Sequence, residues 1–129
     1  MECDVKTETE PPHLLVTVRG QMDFEECRQL LNDITAEASA QAFPPMLFNL
    51  LELQVTVSAT DLFQLMAGVR DTQIGVKNRV AVVGQLRPPF DRLGYAVEIA
   101  SRRGLQFQGF RDLDQAREWL GGGLVAGPA

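Results

Sequence analysis

The chain has 129 residues, 45% of them apolar and 22% charged, with a net charge of −5 and an isoelectric point near 4.8. That length suits one domain, burying roughly two-thirds of its extended-chain surface, and the acidic balance argues against a nucleic-acid binder, which carries a basic domain. No run reaches the roughly 18 apolar residues of a spanning helix, and the acidic N-terminus lacks an apolar signal core, so a cytoplasmic setting is expected.

Residues 3–9 alternate weakly and read as an edge strand. Pro11 and Pro12 break the chain, and 13–19 is a stronger, β-branched strand ended by Gly20. The two strands form a hairpin, and the prolines predict a connecting loop of several residues. Asp23 is a good N-cap with Glu26 three residues on, a capping-box spacing. Phe24, Cys27, Leu30, Leu31, Ile34 and Ala38 then recur at helical spacing, while Glu25, Arg28, Asn32 and Glu37 face away, which predicts an amphipathic helix of about four turns.

The stretch 46–66, MLFNLLELQVTVSATDLFQLM, opens as a buried strand over 46–50 and crosses a turn near Ser58, Ala59, Thr60 and Asp61. It continues as a helix to about residue 70, with Leu62, Leu65, Met66 and Val69 on one face and Ser58 or Thr60 as its cap. Residues 79–84 are the clearest strand, a continuous apolar run expected for a strand covered on both faces. Pro88 and Pro89 open a third helix, with Phe90, Leu93, Val97 and Ala100 inward and Gly104 just past its end. Residues 105–110 alternate at period two as a strand, Asp112 caps a last helix with Leu113, Ala116, Trp119 and Leu120 inward, and Gly121 to Gly123 stop it. The order β-β-α-β-α-β-α-β-α predicts an α/β domain over 1–120, a mainly parallel five-stranded sheet with four helices and an antiparallel edge hairpin. Residues 121–129 are expected to form a flexible tail.

The segment 110–120, FRDLDQAREWL, resembles the F-R-D-x-D-x-A-x-x-W-L ending of SpoIIAA-like proteins of the STAS superfamily. The strand at 79–84 and the element order agree, and the resemblance spans most of 12–120. It implies a bacterial regulatory module without catalysis or cofactor, acting through protein–protein contacts. In phosphorylatable STAS proteins the turn after the third strand carries an Asp-Ser-Ser/Thr-Gly-like motif whose serine is phosphorylated. The matching turn here lies within 52–60, Asn49 stands where the acid is expected, and no glycine follows. An intact phosphoserine switch is therefore not indicated, and Ser58 and Thr60 remain the candidate hydroxyls at a helix N-terminus that tolerates phosphate.

Catalytic and metal motifs are lacking. The one histidine, His13, starts a strand; Ser39, Ser58 and Ser101 occupy no nucleophile elbow. Cys3 and Cys27 form no CxxC, no metal-ligand clustering occurs, and neither G-x-G-x-x-G nor a Walker A sequence exists. The pairs Glu25–Glu26 and Asp112–Asp114 suit helix starts. Arg102 and Arg103 suit a helix C-terminus, with an anionic partner as the functional alternative. Charge is uneven, with 11 acidic and 3 basic residues over 1–64 against 6 and 9 over 65–129, a polarity that suits self-association or a charged partner.

A second function class rests on surplus apolar residues. Phe63, Tyr95 and Ile99 lie off the main faces of their helices, and Leu51, Leu53, Val55 and Val57 crowd the turn before the second helix. Such residues widen the core beyond two helical stripes, cover a homodimer interface, or line the pocket of a small nonpolar, lipid-like ligand. SpoIIAA-like domains are similar in fold to Sec14-type lipid-transfer domains, which makes that ligand class the alternative to a protein partner.

Overall fold

The computed structural model describes residues 1–9, 11–85 and 92–121. The elements are β1 (Glu2–Thr9), β2 (Pro12–Met22), α1 (Phe24–Ala40), β3 (Met46–Asn49), β4 (Leu53–Val55), α2 (Ala59–Val69), a 3-10 turn (Arg70–Thr72), β5 (Val80–Val83), α3 (Arg92–Arg102), β6 (Phe107–Phe110) and α4 (Leu113–Leu120). The α/β architecture and the four helices are as expected. The roles read for Pro88, Pro89 and Phe90, and the tail beyond Gly121, lie outside the described residues.

The sheet has six strands, in the order β1-β2-β3-β5-β6, with β4 paired to β2 off that path. Among the described residues, only β1 and β2 pair antiparallel and the other pairs are parallel. The sixth strand corrects the expected five, and its origin is local. β2 does not end at Gly20 but runs on to Met22, and there it leaves β1 and β3 behind and pairs Gly20↔Leu53, Gln21↔Gln54 and Met22↔Val55. Gly20 sits at φ +94, a conformation that costs other residues dearly, and its N–H donates to the Glu52 carbonyl at 3.0 Å. The glycine bends the strand onto a new partner instead of stopping it. The hairpin is also tighter than expected, since pairing continues to Thr9↔Pro12. Pro12 is the first residue of its strand, where a missing N–H is tolerated.

The two faces of the sheet bury different clusters. One packs Leu14, Val16, Val18, Met46, Val80 and Val82 beneath α1, α2 and α3. The other packs Leu15, Leu47, Ala81 and Val83 against Ala116 and Leu120 of α4. β5 lies between them with all four residues buried, which explains its unbroken apolar run.

Helix starts follow the sequence closely. Asp23 caps α1 in a full capping box with Glu26 (Glu26 N–H to Asp23 Oδ1 2.9 Å, Asp23 N–H to Glu26 Oε1 3.1 Å). Asp112 accepts from the Asp114 and Gln115 amides at the start of α4. The far end of α4 is held from outside the helix. Arg79 donates to the Trp119 carbonyl at 2.7 Å, and its guanidinium lies 5.2 Å from the Trp119 ring centre.

Candidate functional site

β3 ends at Asn49, whose Oδ1 accepts a long contact, 3.4 Å, from the Leu51 N–H. The chain then steps to β4 and reaches Ser58, the N-cap of α2, whose Oγ accepts from the Asp61 N–H at 3.1 Å. Thr60 is exposed in the first turn. The stretch that reads as an apolar turn holds a three-residue strand, β4, and its residues are divided among different surroundings. Leu51 packs toward the α4 face. Leu53, Val55 and Tyr95 pack on the three-helix core, where Val57 and Ile99 are fully buried. Ile99 lies inside because α3 is flanked by both α2 and β6, so a residue off its main stripe still meets a neighbour. Phe63 alone of the seven is exposed, at 45%. Its ring lies 5.1 Å from the Arg103 guanidinium. Arg102 pairs with Glu98 at 3.4 Å, and Arg70 donates to the Arg103 carbonyl, tying the end of α2 to the end of α3.

A cavity of about 140 Å³ opens between α1, α2, α3 and the sheet, and its wall is almost wholly apolar. From α1 it takes Cys27, Leu30, Leu31 and Ile34; from α2, Leu62, Leu65, Met66 and Val69; from α3, Leu93, Ala96 and Val97. Of the surplus residues only Val55 borders it. Its other walls come from main-stripe residues, which pattern reasoning assigns to the core, so periodicity carries no signal for it. The accessible signal is structural: Phe24, Cys27, Leu30 and Leu31 face inward yet remain half-exposed, and only Ile34 and Ala38 of α1 are fully buried. Burial pushes the Cys27 thiol above its ordinary value.

A polar clasp sits at the opposite end of the α4 face. His13 is 1% exposed, and its Nδ1 lies 2.7 Å from the Pro11 carbonyl, which can only accept, so that nitrogen donates. Its Nε2 is 3.2 Å from Glu8 Oε1 but out of line for a hydrogen bond, and the same oxygen is 3.4 Å from Arg117 of α4. The group joins the hairpin to α4. Ser58 is occupied as a cap and Ser101 Oγ donates to the Phe107 carbonyl. Among the described residues, no group of three or more His, Cys, Asp or Glu side chains could hold a metal ion, and no helix is long and apolar enough to cross a membrane.

This fold, a β1–β2 hairpin followed by parallel crossovers with three helices on one face and α4 on the other, is similar overall to that of solved structures. One is an uncharacterised protein of the DUF3478 family with a SpoIIAA-like fold from Shewanella loihica PV-4, 22% identical, covering 92% of each chain with a TM-score of 0.58. The fold is SpoIIAA-like. A second is the anti-sigma factor antagonist SpoIIAA in its unphosphorylated form, 13% identical over 96% of this chain and all of that one, with a TM-score of 0.59. A third is the Bacillus cell fate determinant SpoIIAA in the phosphorylated form, 14% identical over 92% and 98%, with a TM-score of 0.57. No family model and no curated protein matches the sequence. The SpoIIAA-like fold agrees with the resemblance carried by the FRDLDQAREWL ending, which here forms the last residue of β6, the Asp112 cap and α4.

Proposed function

We propose that this SpoIIAA-like domain is a non-catalytic regulatory module of the bacterial cytoplasm that acts by binding another protein chain, a second copy of itself included. The observation that carries the reading is the Phe63–Arg103 pair. It sets an exposed aromatic ring against a guanidinium on the α2–α3 surface, and aromatic and arginine side chains are what protein interfaces enrich. The solved relatives named as anti-sigma factor antagonist and cell fate determinant support a regulatory role at the level of fold.

The contact is constitutive and not gated by a phosphoserine. Asn49 replaces the expected acid, and Ser58 already serves as the cap of α2. A phosphate there would meet the negative charge of Asp61 in the first turn. Ser58 and Thr60 are the hydroxyls to test as exceptions. Cross-linking in the native cell, read by mass spectrometry, separates the two modes. Wild type and Ser58→Ala are expected to capture the same partner, and Phe63→Asp to lose it. Loss with Ser58→Ala, or a phosphate found on Ser58 or Thr60, supports a switch instead; capture unchanged in Phe63→Asp removes the proposed surface.

A further inference from the structure

We propose that the cavity beneath α1 is a binding site for a small uncharged apolar molecule about the size of a single aromatic ring. The volume of about 140 Å³ sets the size. A dry apolar cavity of roughly 150 Å³ accepts benzene or xenon, whereas a helix, about 10 Å across with its side chains, has no room there. The wall sets the chemistry. It is built of aliphatic side chains, Phe48, Phe107 and the sulfurs of Met22, Met66 and Cys27, with almost no polar surface. A charged or strongly hydrogen-bonding group placed inside would find no partner and would lose its hydration uncompensated. Methionine and cysteine supply polarisable sulfur that suits an aromatic ring.

Access is also built in. Cys27, Leu30 and Leu31 point into the cavity from the N-terminal half of α1 and remain half-exposed. The other half of α1 is anchored by Ile34, which also lines the cavity, and by Ala38, both buried. The route to the site thus runs under the loosely covered half of α1 while the anchored half keeps the helix in place. Ala96 on α3 is the smallest side chain of the wall, so a larger residue there would take up part of the volume.

The four methionines make the test internal to the full-length chain. Met22 and Met66 border the cavity, Met46 is fully buried without bordering it, and Met1 is exposed. With methyl-labelled methionine, benzene titration followed by NMR is expected to shift Met22 and Met66 saturably and to leave Met1 and Met46 in place. Benzoate, isosteric in its ring but charged, is expected to bind at least about tenfold more weakly, a difference of about 1.4 kcal/mol. Ala96→Phe fills the space from within and is expected to abolish the shifts while the Met46 signal reports an intact fold; Leu30→Phe provides a second filled variant. The proposal is overturned if Met22 and Met66 do not respond, as when the chain's own residues or a second copy already fill the space. It is equally overturned if all four methyls drift together, if either folded filled variant still binds, or if benzoate matches benzene.

Discussion

The two faces of the sheet solve the same packing problem in opposite ways. On one side a single eight-residue helix, α4, seats Ala116 and Leu120 against Leu15, Leu47, Ala81 and Val83. Asp112 caps its first turn, and Arg79, just before β5, donates to the Trp119 carbonyl near its end. On the other side three longer helices leave about 140 Å³ unfilled and several inward residues half-exposed. Helix number does not decide how well a face closes. α4, capped at its first turn and tied at its last, buries Ala116 and Leu120 in the second cluster, whereas α1 is fully covered only at Ile34 and Ala38 and borders the cavity with Cys27, Leu30, Leu31 and Ile34.

That contrast can be broken most sharply at Leu47. It is fully buried in the cluster under α4, and Leu47→Ala should cost about 2–5 kcal/mol in urea unfolding through the lost burial and the void left behind. Gly75→Ala comes next. Gly75 has φ +80, and an added Cβ would lie 2.6 Å from Phe107 Cε1, so left-handed strain and the displaced ring together should cost about 2–4 kcal/mol. Because Phe107 also walls the cavity, this variant should alter the Met22 and Met66 methyl signals as well. Leu30→Ala, at a half-exposed cavity position, should cost only about 1 kcal/mol, since little apolar area is lost from an already incomplete contact. A cost equal to that of Leu47→Ala would show that the two faces are packed alike.

The smallest effect concerns the thiols. Burial raises Cys27, and burial followed by the charges of Asp4 and Asp33 raises Cys3. The fold therefore favours both neutral thiols, a contribution present at neutral pH and lost as pH rises through the raised values. Iodoacetamide should label both more slowly at pH 8 than a cysteine in unfolded chain. Benzene should slow Cys27 further and leave Cys3 unchanged, since only Cys27 borders the cavity.

Much of this arrangement can be read in the residues. The capping signals at Asp23 and Asp112 and the apolar run of β5 announce elements that form as expected. β4 was also legible, because Leu51, Leu53, Val55 and Val57 alternate with Glu52, Gln54 and Thr56 at the strand period. Read as a crowded turn, they suggest one apolar surface; in the fold they are shared between a strand, two clusters and both sides of the sheet. Gly20 misleads in the same way, since glycine after a strand marks either a stop or a bend, and only a waiting partner strand distinguishes them.

Element type, order and the buried stripe of each helix are consequences of local chemistry, because caps, glycines and apolar periods act within a few residues, and the sequence contains them whole. Which strand receives the end of β2, why Ile99 is buried and Phe63 is not, and that a cavity lies under α1 depend on distances between elements far apart in the chain. A void is the difference between the space several helices enclose and the volume their side chains fill, and no single stretch of sequence carries that difference.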